Sequence, residues 1–309
     1  MSSASRPSRL SLRTLQPAGF SFAAIVTLSL TPSCDDRDPA ARSVAAHEPS
    51  GDSAAAPTTA PARPLSTIPL EVPKDRCPPS MILVPTSRFC IHRWEAQMFH
   101  ENGQLHDPFR VPPFPREMGG MYAKAFPGVV PQGYVGRDQA ELACRNAGFR
   151  LCTVEEWQSA CRGPKAAVFP YGTNHRVDGR CNTHKFPDSE HLVLYFYPDA
   201  KWTTQEMNDP RINQIPDGLA TTGHYVQCTN AYGVFDMVGN LQEWVADLVE
   251  EGKREGNAIA LGDHYMGQGK NFEGCEARNV AHGYHPDEPD RNQRDYSTGF
   301  RCCADPRSF

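Results

Sequence analysis

The sequence predicts an α+β domain, low in regular secondary structure and rich in disulfides. Three observations lead there. Two short capped helices stand between short apolar strands. Of 11 cysteines, only Cys34 precedes residue 76, so ten belong to the folded part. The chain also carries 28 prolines and 24 glycines, which favour turns and coil over long elements.

The chain begins with a targeting pattern. Arg6, Arg9 and Arg13 form a basic stretch ahead of the apolar run Ala18 to Leu30, which is short for a membrane span. Thr31-Pro32-Ser33-Cys34 follows, and a small residue before cysteine resembles a bacterial lipobox, with Thr31 where leucine is usual. Residues 1–33 are therefore assigned as signal peptide and Cys34 as the lipidation site. The alternative is ordinary cleavage and a soluble secreted or periplasmic protein. Both place the chain outside the cytoplasm, where disulfides persist. Residues 34–75 are an Ala/Pro/Ser/Thr-rich tether, nearly devoid of large apolar residues before Leu65, and the folded domain spans 76–309.

Met81 to Val84 and Arg88 to Glu95 read as a hairpin turning at Pro85-Thr86, which a Cys77–Cys90 bridge can close. Residues 96–135 show no sustained periodicity and read as loop. Asp138-Gln-Ala-Glu141 predicts a capped helix that stops at Gly148, with Ala140, Ala143, Cys144 and Ala147 on one face. Thr153-Val-Glu-Glu156 predicts a second, with Trp157, Ala160 and Cys161 inward and Gly163 as its stop. Phe149 to Cys152 is an extended link between them. Residues 169–223 read as loop, and Leu261 to Met266 as a strand.

The stretch Asn230 to Trp244 concentrates the chemistry. Gly233 and Gly239 mark it as turn and loop. Asp236 and Glu243 supply hard oxygen, which suits Ca²⁺. The competing reading is a buried turn whose carboxylates accept backbone N–H groups.

Three blocks, taken in order, resemble the signatures of the formylglycine-generating enzyme, or sulfatase-modifying factor, family. They are Arg150-Leu-Cys-Thr-Val-Glu-Glu-Trp157 with Cys161-Arg-Gly163, Tyr232-Gly-Val-Phe-Asp-Met-Val-Gly-Asn-Leu-Gln-Glu-Trp244, and Gly299-Phe-Arg-Cys302. The resemblance implies a single sulfatase-modifying-factor domain with a C-type-lectin-like fold. It implies calcium at Asp236 and Glu243 with the carbonyls of Gly239 and Leu241, and a second site involving Asn182 and Thr183. It also implies bridges Cys144–Cys302 and Cys161–Cys275. Cys303 then faces away from Cys302 and takes Cys152 as its most economical partner. Cys181 and Cys228 remain as the fifth pair.

Active members of that family oxidise a sulfatase cysteine with O₂, using two cysteines that hold copper(I) between the second and third blocks. Here no cysteine lies between Cys228 and Cys275, and Gln242 stands where an aromatic is usual. Copper is therefore not expected. His264, His282 and His285 lie in polar sequence with no carboxylate fixed beside them, and Asp287, Glu288 and Asp290 read as a solvated turn. The spacings offer no paired Cys-x₂₋₄-Cys zinc site. Net charge is −5, with no basic patch interleaved with aromatics, so nucleic acid is excluded as partner. Two functions follow. One is a membrane-anchored extracytoplasmic module that binds a peptide or another protein. The other is an oxidase of the formylglycine type, or one using other residues.

Overall fold

The structure is a computed structural model that describes residues 75–183, 191–267, 274–281 and 292–308. The chain divides at residue 66, and every described residue belongs to the second unit, Thr67–Phe309. The signal segment 1–33, Cys34 and the tether to residue 74 lie outside the described residues, as do His282, His285, Asp287, Glu288 and Asp290.

Asp75–Arg76 (β1) pairs antiparallel with Arg307–Ser308 (β12), joining the two ends of the domain. Met81–Val84 (β2) and Phe89–His92 (β3) form the expected hairpin, with Met81 opposite His92 and Val84 opposite Phe89. The strand part of 88–95 ends at His92. β3 then pairs with Cys302–Ala304 (β11), which pairs in turn with Arg150–Leu151 (β6), giving the order β2-β3-β11-β6.

The loop assigned to 96–135 needs correction. Ala96–Phe99 (β4) and Tyr122–Ala125 (β5) pair along their whole length. Each is only four residues long, and the Pro- and Gly-rich chain between them hides the pairing. Helix α1 runs Arg137–Asn146 and its cap also differs. Gln139 Oε1 accepts the Gly136 N–H at 2.7 Å, so the helix starts two residues before the expected Asp138 cap. Asp138 and Glu141 instead bracket Arg137, at 2.9 and 2.7 Å. Helix α2, Val154–Arg162, has the expected box, with Thr153 Oγ1 accepting the Glu156 N–H and Glu156 accepting that of Thr153. The region 169–223 contains two short helices, Leu192–Phe196 (α3) and Thr204–Met207 (α4).

The second sheet has the order β10-β7-β8-β9, from Gln242–Leu248 (β7), Ala258–Leu261 (β8), Arg278–Val280 (β9) and Thr298–Phe300 (β10). Two expectations shift here. The strand expected at 261–266 lies at 258–261, because Gly262 takes φ 90° and turns the chain. The stretch Asn230 to Trp244 is turn only as far as Leu241, and Gln242 opens a strand.

β10 runs parallel to β7 in the second sheet, and β11 belongs to the first. Arg301 is the single residue between them, so its side chain is held where the two sheets meet. β7 alternates across the same boundary. Trp244 packs with Met98, Val135 and Phe300, whereas Val245 packs with Trp157, Phe169 and Ile259. A third cluster gathers Tyr134, Tyr265 and Tyr296. Five disulfides join Cys77–Cys90, Cys144–Cys302, Cys152–Cys303, Cys161–Cys275 and Cys181–Cys228. Consecutive residues of β11 point to opposite faces, so Cys302 and Cys303 staple different clusters.

Candidate functional site

The turn before β7 is set by its backbone. Asp236, Gly239 and Asn240 all take positive φ, at 56°, 80° and 58°. Gly239 is required there twice over, since a Cβ would come within 2.2 Å of the Asn182 carbonyl oxygen. Asn240 N–H donates to that same carbonyl at 2.9 Å, and Gly239 N–H donates to Gly262 O at 2.8 Å.

This turn, β7 and the segment between β3 and β4 bring three buried carboxylates around Arg301. Arg301 donates from Nε to Glu243 Oε2 and from Nη2 to Oε1, each at 2.6 Å, a two-point fork on a carboxylate. Trp157 Nε1 donates to the same Oε2 at 2.7 Å. Arg301 also donates to the carbonyls of His92 and Phe235, so its fork is fixed on both sides. Glu95 is the member that the sequence did not single out. It accepts from Asn240 Nδ2 at 2.7 Å and from the Leu241 N–H at 3.2 Å. It lies 141 residues before Asp236, so no spacing relates the two. The available signal was a lone acid, after Trp94, leading into an apolar segment.

The charges do not balance. Burial, then the negative charges of Asp236 and Glu243, push the Glu95 carboxyl well above the usual range. Burial likewise pushes Asp236 up to about 7, although the Gly223 N–H donates to it at 2.6 Å and Arg301 opposes the rise. Three acids and one guanidinium leave an excess of two negative charges if all are ionised. Such a site either holds protons or takes a cation. Among the described residues no three His, Cys, Asp or Glu side chains form a metal cage by themselves. A hard cation here therefore needs backbone carbonyls as well as carboxylates, which is the donor set that suits Ca²⁺.

Asn182 touches the turn through its carbonyl, and its Nδ2 donates to Asn240 Oδ1 at 2.8 Å and Gly218 O at 3.0 Å. Its Oδ1 is buried without a partner. Thr183 N–H donates to Cys181 O. Within 209–219, Asp209 binds Arg211 and Tyr197, and Asn213 binds Tyr265 and Tyr296. Asn182 is thus oriented for an added ligand while these neighbouring side chains are engaged elsewhere.

On the other side of β7 lies a groove of about 540 Å³, lined in part by Gln242, Trp244, His264, Asn279, Asp295 and Ser297. Asn279 Nδ2 donates to Gln242 Oε1, Gln242 Nε2 donates to Ser297 Oγ, and Ser297 Oγ donates to Asp295, at 2.7, 2.7 and 2.5 Å. Ser297 is therefore committed as donor to a carboxylate. Among the described residues no histidine is bonded to it. His264 pairs with Asp263 at 3.1 Å, and His191 Nε2 with Tyr296 Oη at 2.9 Å. The groove is thus lined by amides and a hydroxyl held in a fixed hydrogen-bonded chain, with two imidazoles beside it.

The sequence profile of the sulfatase-modifying factor enzyme 1-like domain matches residues 120–306. The chain belongs to this family. Among curated proteins it is similar to inactive C-alpha-formylglycine-generating enzyme 2 of Bos taurus, 26% identical over 178 residues, covering 56% of this chain and 50% of that protein. The counterpart from Mus musculus is 29% identical over 124 residues, covering 39% and 33%. The chain thus spans half or less of the length of these curated relatives. Among solved structures, PvdO from Pseudomonas aeruginosa is 16% identical, covers 70% of this chain and 80% of that one, and gives a TM-score of 0.41.

In this sulfatase-modifying-factor domain the cysteines bear directly on chemistry. Cys275, the one cysteine between Trp244 and Gly299, is fully buried and bridged to Cys161. Asp236 and Glu243 meet at Arg301. Gly239 and Leu241 contribute backbone to the same turn, and Asn182 borders it.

Proposed function

We propose that this chain is an extracytoplasmic sulfatase-modifying-factor-like module, anchored to a membrane through lipid on Cys34. It binds a peptide or another extracytoplasmic protein in the groove beside β7 and has no oxidase chemistry of its own. The observation that carries this reading is the pairing of all ten cysteines from Cys77 to Cys303. Copper(I) requires thiolates, and each of these sulfurs is already bonded to another. The curated relatives' names, which call them inactive, agree with it. Five disulfides suit an oxidising compartment. No described helix is long and apolar enough to cross a membrane.

Calcium belongs to the same proposal, as does the C-type-lectin-like fold. Glu95, Asp236 and Glu243, with the carbonyls of Gly239 and Leu241, would hold the ion. Its positive charge would offset the buried carboxylates and fix the turn that positions β7. Asn182 Oδ1 is the donor left for a second ion.

The test is to incubate the oxidised protein with a Cys-x-Pro-x-Arg peptide, copper and O₂, and to weigh the peptide. An unchanged mass is expected. A loss matching conversion of the thiol to an aldehyde overturns the binding-only reading in favour of a formylglycine-generating oxidase. A thiol count on the native protein checks the premise, and two or more free thiols contradict it.

A further inference from the structure

A second cavity, of about 880 Å³, opens on a different part of the domain, between the β2–β3 hairpin, β5 and the end of α1. Its size falls in the range of small-molecule sites. Met81, Trp94, Tyr122, Phe126 and Phe149 supply apolar and aromatic walls. Among the described residues no aspartate or glutamate lines it, although the chain as a whole is acidic.

Two cations stand in this lining. Lys124 is exposed, and its Nζ lies 5.0 Å from the ring centres of both Phe99 and Tyr122. The Arg93 guanidinium lies 5.2 Å from the Trp94 ring and donates from Nε to Gly233 O at 3.1 Å. Neither forms a salt bridge among the described residues. His92, fully buried, also lines the cavity. Its Nδ1 accepts the Cys302 N–H at 3.3 Å, which puts the proton of the neutral ring on Nε2. Burial, with Arg301 nearby, lowers its pKa to about 3, so the ring is neutral at ordinary pH. Nε2 is buried and has no partner. Buried donors are normally satisfied, and one left open beside a cavity marks a place for an acceptor.

We propose that this cavity binds a small amphiphilic carboxylic acid with a second oxygen at its far end. The carboxylate sits between Arg93 and Lys124, the apolar body lies against Trp94, Tyr122 and Phe126, and the distal oxygen accepts from His92 Nε2. Charge complementarity selects the acid, since among the described residues the lining holds two cations without a salt bridge and no anion. None of the groove residues named beside β7 takes part, so this site and the proposed peptide groove stand or fall separately.

The probe is 3-(4-hydroxyphenyl)propionate, titrated into the folded protein and followed by tryptophan fluorescence and amide NMR. Saturable binding is expected, with shifts at Trp94, Tyr122 and Lys124. The methyl ester should bind at least tenfold more weakly, and 3-phenylpropionate severalfold more weakly. Lys124→Glu, at an exposed position of β5, should keep the protein folded with a modestly lowered melting temperature and weaken binding at least tenfold. Because substitutions at His92 can unfold the hairpin, Lys124→Glu and the ester decide the matter. The proposal is overturned by absence of saturable binding up to millimolar acid, or by equal affinity for acid and ester. Shifts confined to the groove around Gln242, or unchanged affinity in Lys124→Glu, overturn it equally.

Discussion

Glu243 and Arg301 have side chains 1% and 0% exposed, and each satisfies the other in two hydrogen bonds. Replacing Glu243 with Gln strands a buried guanidinium, and such losses typically cost ~3–5 kcal/mol. Urea unfolding should show that loss, and an unchanged midpoint would mean that Arg301 finds another partner. Glu95 should behave differently. Both its oxygens accept N–H groups, so Glu95→Gln turns an amide NH₂ toward a donor and should cost ~1–3 kcal/mol in chelator, less than Glu243→Gln. The same substitution should abolish any rise in melting temperature on adding calcium. Asp236 gives the sign of the pH dependence. Its folded pKa of about 7 lies above the ordinary aspartate value, so the folded state holds a proton that the unfolded chain has lost. Stability in chelator is therefore fullest below about pH 4 as far as this group is concerned, falls between about pH 4 and 7, and stays low above. Saturating calcium, which holds the carboxylates ionised, should flatten that decline. Unfolding curves at pH 5 and pH 8, with and without calcium, check it.

At the scale of elements, α2 and the turn before β7 were legible because their signals are local. Thr153 and Glu156 lie three residues apart and close a reciprocal box, and Thr153→Ala should cost ~1 kcal/mol in thermal or denaturant unfolding. Gly239 shows as a turn in the sequence, but the reason for it does not. Only the fold reveals the Asn182 carbonyl 2.2 Å from where a Cβ would stand. Gly239→Ala should cost more than ~1 kcal/mol and displace the turn, read as a lowered melting temperature and weaker calcium response. The β4–β5 pair was not legible. Four-residue strands with only partial alternation carry little periodicity, and their register is fixed by neighbours such as α1. Glu95 was hidden for the same reason, because a long-range contact leaves no mark in spacing. The α1 start was misplaced because Asp138 and Glu141 imitate a capping box while serving Arg137. Asp236 and Glu243 stood out by their local pattern, but their meeting with Arg301 of the Gly299-Phe-Arg-Cys302 block did not, because the chain keeps those segments far apart.

For the whole molecule, the bridges differ in what they constrain. Cys77–Cys90 spans 13 residues, whereas Cys144–Cys302 spans 158. On the loop-entropy argument, removing the longer bridge should destabilise by ~2 kcal/mol more than removing the shorter. Paired serine variants compared by denaturant unfolding measure the difference. The two longest bridges, Cys144–Cys302 and Cys152–Cys303, end on neighbouring residues of β11, which also completes the first sheet beside β3 and β6. The order of events during biogenesis follows from that placement. Cys77–Cys90, Cys161–Cys275 and Cys181–Cys228 can close before Cys302 is made, but α1 and the link into α2 cannot be tied to the first sheet until β11 emerges. A nascent chain of this protein must keep two thiols, Cys144 and Cys152, unpaired until β11 has emerged, and an oxidant that arrives earlier can seal the wrong partners.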